Sequence, residues 1–514
     1  MLLSSADILT YHNDTSRLGQ NLHETILTPG NVNSATFGKR LFLPADGKVD
    51  AEPLYVSGLN FRDRGRHSVA YVATEHDSVY AYDSNTGTAL WQVSVLGPGE
   101  VPSDPRNCTQ VFPEIGITST PVIDRHAGPH GTIYVVAMSK DASGNYFQRL
   151  HALDLTTGAE EFGGPRTIQA AFPGTGDNSV NGNVVFDPAQ YDDRAALLLS
   201  HGVVYTTWAS HCDIRPYTSW VIGYNERTLK QTSVLNLTPN GSEGAFWGSG
   251  GGPAVDSSGN IFLLAGNGDF DATLNAKGFP AQGDFGNAFL QLSTRGRLHV
   301  ADYFESFNQA QLNAMDLDLG SSGTMVLPSM KDAAGRSRLL AIGAGKEGTI
   351  YVVDRRNMGK FNAATPDNHN GYQQVPNVLA AGVFSTPAYF NGFVYYGAAG
   401  DRLRAFQFSK ARLSATSVSQ SSTAFAYPGT SPAVSANGRR NGIVWALEYG
   451  DVATLHAYDA TNLANELYNS NQAGPRDQFG LANKFITPSI ADGKVFVGTT
   501  DGVAVFGLLT SPSP

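Results

Sequence analysis

The sequence predicts an all-β fold, a β-propeller built of four-stranded antiparallel blades, and three observations carry that prediction. The stretch from Val79 to Trp91 reads VYAYDSNTGTALW: an alternating strand, a turn carrying Asn85, Thr86 and Gly87, and a second strand ending in Trp91. Period-two alternation broken by a glycine turn is a hairpin signal. The phrase returns as LHALDLTTGAE from Leu150, VIGYNERTLKQ from Val221, IYVVDRRNMGK from Ile350 and LHAYDATNLAN from Leu455. One hairpin repeated along a chain points to radially repeated sheets. The third observation is the 56 glycines and 26 prolines among 514 residues, which suit an architecture of many turns. No long helical period recurs between the strands, so a TIM barrel is disfavoured.

In chain order, residues 1–36 show little periodicity and read as an N-terminal strap over the outside of the fold. Residues 37–45 hold a strand, KRLFLP, with no hairpin partner nearby. The last repeat, from Ile486 to Leu508, offers only three strands, ITPSI, KVFVGTT and GVAVFGL. The early strand is the natural fourth member. Its pairing there would close residues 37–514 into a single propeller domain and hide two open sheet edges. Between these ends, further blades open with EPLYV, STPVID, ALLLS, GGPAVDS, GTMVLPS, STPAYF and SPAVS. That gives eight blades, or seven if one hairpin is misassigned.

Composition narrows the function classes. The net charge is -10 and no Lys/Arg cluster stands out, which argues against nucleic acid or an anionic membrane surface as a partner. No run of eighteen apolar residues exists, so no membrane span is expected. MLLSSADILTYHND is too short and polar for a complete secretory signal; it suits a chain whose signal is already absent, and a natural cytoplasmic start reads the same way. The two cysteines, Cys108 and Cys212, lie in polar, turn-rich loops. A disulfide and two separate thiols are both open readings; a disulfide implies a periplasmic or extracellular protein.

Long polar insertions fall at 97–116, 171–194, 270–286 and 309–320, and loops of this length in a compact fold usually carry function. If strands alternate in direction, segments before each first strand and between the second and third strands share one face. That face gathers His76, Glu114, Lys140, His211, Asp213, Glu243, Trp247, Asn267, Asp269, Asp316, Asp318, Lys346 and Lys484. Cys108 falls there too, one blade before Cys212, which favours the bridge. The result is an acidic polar funnel with a few cations.

The repeated YxxDxxTGxxxW hairpins resemble those of pyrroloquinoline-quinone-type propellers. LLAGNGDFD from Leu263, NAMDLDLGSSGTMVLP from Asn313 and GAGKEGTIYVVDRRNMGKF from Gly343 are similar to the eight-bladed quinoprotein alcohol dehydrogenases within that family. The resemblance covers most of the chain. It implies pyrroloquinoline quinone (PQQ) with Ca²⁺, the ion held by Asn267 with Asp269 and Asp213 as further oxygen donors. It makes Asp316 or Asp318 the catalytic base, sets Lys346 on the quinone oxygens, and places Glu243 and Trp247 at the cofactor. The chain departs from the pattern in having no adjacent cysteine pair, no clean match to the calcium-binding glutamate and no CxxCH haem motif. Electrons would therefore leave to an external acceptor.

Two other classes use the same face. A glycoside hydrolase could draw a carboxylate pair from Glu114, Glu243, Asp316 and Asp318. A uronic-acid lyase could pair His76 or His211 with Lys140 or Lys484, with Trp247 and Phe384 stacking on sugar rings. Either would need Ca²⁺ alone or no cofactor. A non-catalytic binding or scaffold propeller is the third class, since repetition itself demands the hairpin residues. Glu114, directly before an inner strand, is a site residue in all three.

Overall fold

The computed structural model describes residues 7–362, 364, 367–450 and 452–509. Its hairpins are built as the sequence suggests. Oδ1 of Asp83 accepts the backbone N–H groups of Asn85 and Thr86 at 2.9 and 2.8 Å, and Asp154 does the same for Thr156 and Thr157. A carboxylate that gathers local N–H groups replaces backbone partners lost in the turn. Gly87 then turns the chain at φ 74°, a left-handed conformation that suits glycine.

These hairpins extend into four-stranded antiparallel sheets that follow one another along the chain. The first comprises Leu54–Phe61, Gly65–Ala73, Ser78–Asp83 and Ala89–Ser94, in that order. Sheets with the same order of four begin at Val122, Leu198, Ala254, Met325, Ala388 and Ala433. One further sheet joins both ends of the chain: Phe37–Pro44 runs antiparallel to Gly502–Leu508, which continues to Lys494–Gly498 and Ser489–Ala491. First strands of consecutive sheets touch, as Ala433–Asn437 touches both Ala388–Phe390 and Ser489–Ala491. They line a common axis.

The core lies between sheets. Tyr134 and Val136 of the second sheet pack with Trp208, Trp220 and Ile222 of the third. Phe37, Trp445 and Phe506 pack the seventh sheet onto the closing one. Each sheet thus buries both faces, which is why its central strands read as continuous apolar runs.

The N-terminal segment does not run over the outside. Tyr11, His12 and Arg17 are no more than 2% exposed, and the segment crosses the inner strands in order. Ile8 bridges Tyr55. The carbonyls of Leu9, Thr15, Ser16, Leu18 and Gly19 accept N–H groups of Ile123, Val255, Val326, Tyr389 and Val434. Arg17 reaches the carbonyl of Leu197, and Asn21 that of Ile490. A segment that serves one bond to each successive sheet has no period of its own, and its polarity answers exposed inner-strand backbone. Close packing holds it there: a Cβ at Gly19 would sit 2.3 Å from the His12 ring.

Candidate active site

Loops before the first strands, and between the second and third strands, meet around a cavity of about 510 Å³. Its aromatic wall comes from four different loops. Trp247 packs against Phe384 and Phe485 with centroids 6.1 and 6.2 Å apart, and Phe384 meets Tyr427 at 5.3 Å. The opposite lining includes Cys108, His211 and Cys212. Cys108 and Cys212 form a disulfide that ties together loops of the second and third sheets, 104 residues apart.

One corner holds the charged groups. The helix Gln309–Ala314 delivers the chain to Asp316, whose φ of 55° puts the backbone in the left-handed region. Backbone N–H groups fix the next turn: that of Leu319 donates to the side-chain oxygen of Asn287, and that of Lys346 to the carbonyl of Asp318 at 2.9 Å. The neighbouring turn leaves no room for a side chain at Gly345, where a Cβ would lie 2.3 Å from that carbonyl oxygen. The side chains then converge. The Trp247 indole N–H donates to Oδ2 of Asp318 at 2.9 Å. Nζ of Lys346 lies 2.9 Å from Oδ1 of Asp318 and 2.7 Å from Oδ1 of Asp316. The Asp318 contact is an ion pair without hydrogen-bond alignment. Asn267 donates its amide to Asp316 at 3.3 Å.

Asp318 is almost wholly buried. Burial pushes its carboxyl up to about 7, outweighing the attraction of Lys346. Burial alone would lower the Lys346 ammonium, but Asp318 and Asp316 more than offset it and raise it. A half-ionised carboxyl at neutral pH beside a permanent cation is suited to taking a proton. Across the cavity, burial and then Arg106 bring the His211 imidazole down to about 4, so it is neutral. Burial and then Asp213 raise Glu243.

Of the residues expected on this face, His211, Asp213, Trp247, Asp316, Lys346 and Phe384 line the cavity, and Asp318 and Asn267 bond to residues that line it. Others are engaged elsewhere. His76 pairs with Glu114 at 3.0 Å, and Lys140 with Asp104. Glu243 bridges Gly268 through the backbone. Lys484 lies at the edge, 3.3 Å from Gln110 and 5.4 Å from the Tyr427 ring centroid. The calcium donor set is not assembled. Asp213 accepts the Tyr217 hydroxyl at 2.8 Å, Asp269 accepts the Ser242 N–H and hydroxyl, and Asn267 points its nitrogen at Asp316. Among the described residues no group of three or more His, Cys, Asp or Glu side chains is placed to hold a metal ion.

The cavity also contains Asp192, Arg194 and Tyr427, which sequence reasoning does not select. Arg194 sits 5.0 Å over the Phe485 ring, and burial pushes Asp192 up to about 6. A signal for Asp192 and Arg194 exists in the sequence: YDDR lies a few residues before the first strand of the third sheet, in the kind of approach segment that singles out Glu114.

No family model matches the chain, and no curated protein matches its sequence. Solved structures do share its fold. Quinohemoprotein alcohol dehydrogenase from Comamonas testosteroni is similar over 99% of this chain and 82% of its own, with a TM-score of 0.62 and 14% identity. The quinohemoprotein alcohol dehydrogenase ADHIIG from Pseudomonas putida HK5 gives the same values. A europium-containing methanol dehydrogenase is similar over 99% of both chains, with a TM-score of 0.52 and 12% identity. The chain is a divergent quinoprotein-like β-propeller in fold.

Proposed function

We propose that this chain is a quinoprotein-like oxidoreductase acting on an alcohol or sugar, that its repeated sheets are eight blades of one ring, and that the cavity receives PQQ. The observation that carries the reading is Asp318: a buried carboxyl, held by an indole N–H and an ammonium, at the edge of an aromatic-walled cavity.

The residues present suit a planar anion. Trp247, Phe384, Tyr427 and Phe485 offer π faces, while Arg194 and Lys346 offer positive charge for carboxylate and carbonyl oxygens. When bound, the quinone supplies a two-electron acceptor. The chain's own groups do the rest. The ionised fraction of Asp318 takes the hydroxyl proton of the substrate, and Trp247 and Lys346 fix the carboxylate's orientation. The burial of Asp318 strengthens each of these contacts. Divalent-metal chemistry is not assigned, because the donor set does not fit.

With only two cysteines, both in the disulfide, the chain has no haem attachment, so an external acceptor completes the cycle. A disulfide is most at home in an oxidising compartment, and we place the protein in the periplasm or outside the cell. Among the described residues no helix is long and apolar enough to cross a membrane. Of the uronic-acid lyase constellation, His76 and Lys140 are paired with Glu114 and Asp104, while His211 lines the cavity and Lys484 lies at its edge.

Titration of the purified chain with PQQ, followed by tryptophan fluorescence and by dye-linked oxidation of alcohols and aldoses, tests the reading. One-to-one saturation that Trp247→Ala abolishes is the expected result. Absence of binding up to millimolar ligand would overturn it.

A further inference from the structure

Asp316 and Asp318 already share a cation, and it belongs to the chain. The Lys346 ammonium is 2.7 Å from one carboxylate and 2.9 Å from the other. The remaining Asp318 oxygen receives the Trp247 N–H, and Asn267 presents nitrogen to Asp316. A hard divalent ion needs about six to eight oxygen ligands. Here Oδ2 of Asp318 and Oδ1 of Asp316 each receive an N–H donor, Oδ1 of Asp318 faces the ammonium at 2.9 Å, and a second cation would meet that ammonium at close range. The arrangement is built in, because the backbone of Lys346 is bonded to Asp318 and the Gly345 turn abuts it.

We propose that Lys346 is the resident cation of this cavity and that ligand binding there needs no divalent metal. The ammonium receives a carbonyl or carboxylate oxygen of a planar anionic ligand in the role that a metal ion would otherwise fill. It also keeps the two carboxylates from repelling that ligand. The identity of the ligand rests on the quinone reading; the exclusion of a second cation does not.

The test uses the full chain after treatment with chelator. Terbium luminescence sensitised by tryptophan, with calcium calorimetry beside it, reads metal binding without any cofactor. The wild-type chain should show no saturable site. Lys346→Met, which leaves the carboxylates without their cation, should gain terbium affinity by about tenfold or more, and Lys346→Arg should not. In parallel, the affinity for PQQ should agree within about twofold between EDTA and excess calcium. A stoichiometric wild-type metal site lost in Asp318→Asn would overturn the proposal, as would a tenfold or greater gain in PQQ affinity from calcium. A Lys346→Met chain with native circular dichroism and no gained terbium site would overturn it too. If PQQ binds in neither buffer, the quinone reading fails, while the terbium measurements still decide the inference.

Discussion

In the N-terminal segment that crosses the inner strands, Arg17 is buried and each of its three guanidinium nitrogens has an acceptor. Its guanidinium donates to the carbonyls of Tyr11, Pro253 and Leu197 and to the Thr10 hydroxyl. Nearby, both ring nitrogens of His12 meet carbonyls at 2.9 Å. At the cavity Asp318 is as deeply buried, but it has an ammonium without hydrogen-bond alignment and a carboxyl lifted to about 7. The same axis therefore carries buried charge in two manners. Full satisfaction makes a charge structural, and incomplete satisfaction leaves a group able to change protonation state near neutrality. Substitution at Arg17 should cost stability, and at Asp318 it should cost function.

Asp318→Asn is the sharpest case. It should lower kcat/KM for the dye-linked reaction by about 10²- to 10⁴-fold, the usual worth of a positioned base. The thermal midpoint should change little, because the amide still accepts the indole N–H. The wild-type rate should rise with pH through about 7, as Asp318 ionises. Stability should run the opposite way. A carboxyl whose pKa is raised on folding binds its proton more tightly in the native state. Its contribution is therefore complete below the ordinary carboxylate range and is lost as pH climbs through about 7. Asp318→Asn should erase that slope. A large loss of stability instead would place Asp318 in the same class as Arg17.

Arg17→Met should cost about 3 kcal/mol or more in denaturant unfolding, since three buried carbonyls lose their donor at about 1–3 kcal/mol each before relaxation. Burial lowers this arginine only to about 10, so it remains charged across the neutral range and contributes no pH slope there. Residual chain that still folds should bind ligand normally. A change below about 1 kcal/mol would break the contrast between Arg17 and Asp318.

The disulfide sits at the cavity but acts on the unfolded chain as well. Cys108→Ser with Cys212→Ser should lower stability by about 2–4 kcal/mol, because the bridge closes a long loop. It should also weaken PQQ binding measured by fluorescence, since both cysteines line the cavity. Loss of stability with unchanged binding would show that these loops hold their places without the bridge.

Much of the fold is legible in the sequence because the hairpin carries its own chemistry. Asp83 and Asp154 cap their turns through local bonds that a short stretch of sequence can show. The site is partly legible for the same reason, as Asn267, Asp316, Asp318 and Lys346 lie in three short stretches. Those stretches do not carry the relative height of their loops. Only the folded ring shows that Lys346 reaches between Asp316 and Asp318, and so that the calcium expectation meets an ammonium. The N-terminal segment reads as an outer strap because Leu9, Thr15, Ser16 and Leu18 each bond a different sheet. Contacts spread around a ring leave no periodic trace. Arg194 escapes sequence reading because its stretch looks like the tail of an insertion instead of the approach to an inner strand.

Trp247→Phe is the finest test of the contrast, because it alters how well Asp318 is satisfied without removing the carboxyl. The phenyl ring keeps a face for stacking against Phe384 and Phe485 but has no N–H for Oδ2. That N–H favours the ionised form, so its loss should move the Asp318 pKa further above about 7, by less than about one unit. The ascending limb of the pH–rate profile should shift to higher pH by the same amount. The rate reached on the alkaline side should stay within about threefold of wild type, because ionised Asp318 still acts as base there. A profile that falls in height without moving would instead make the indole a stacking platform alone, and would leave the raised carboxyl to burial and the charges of Lys346 and Asp316.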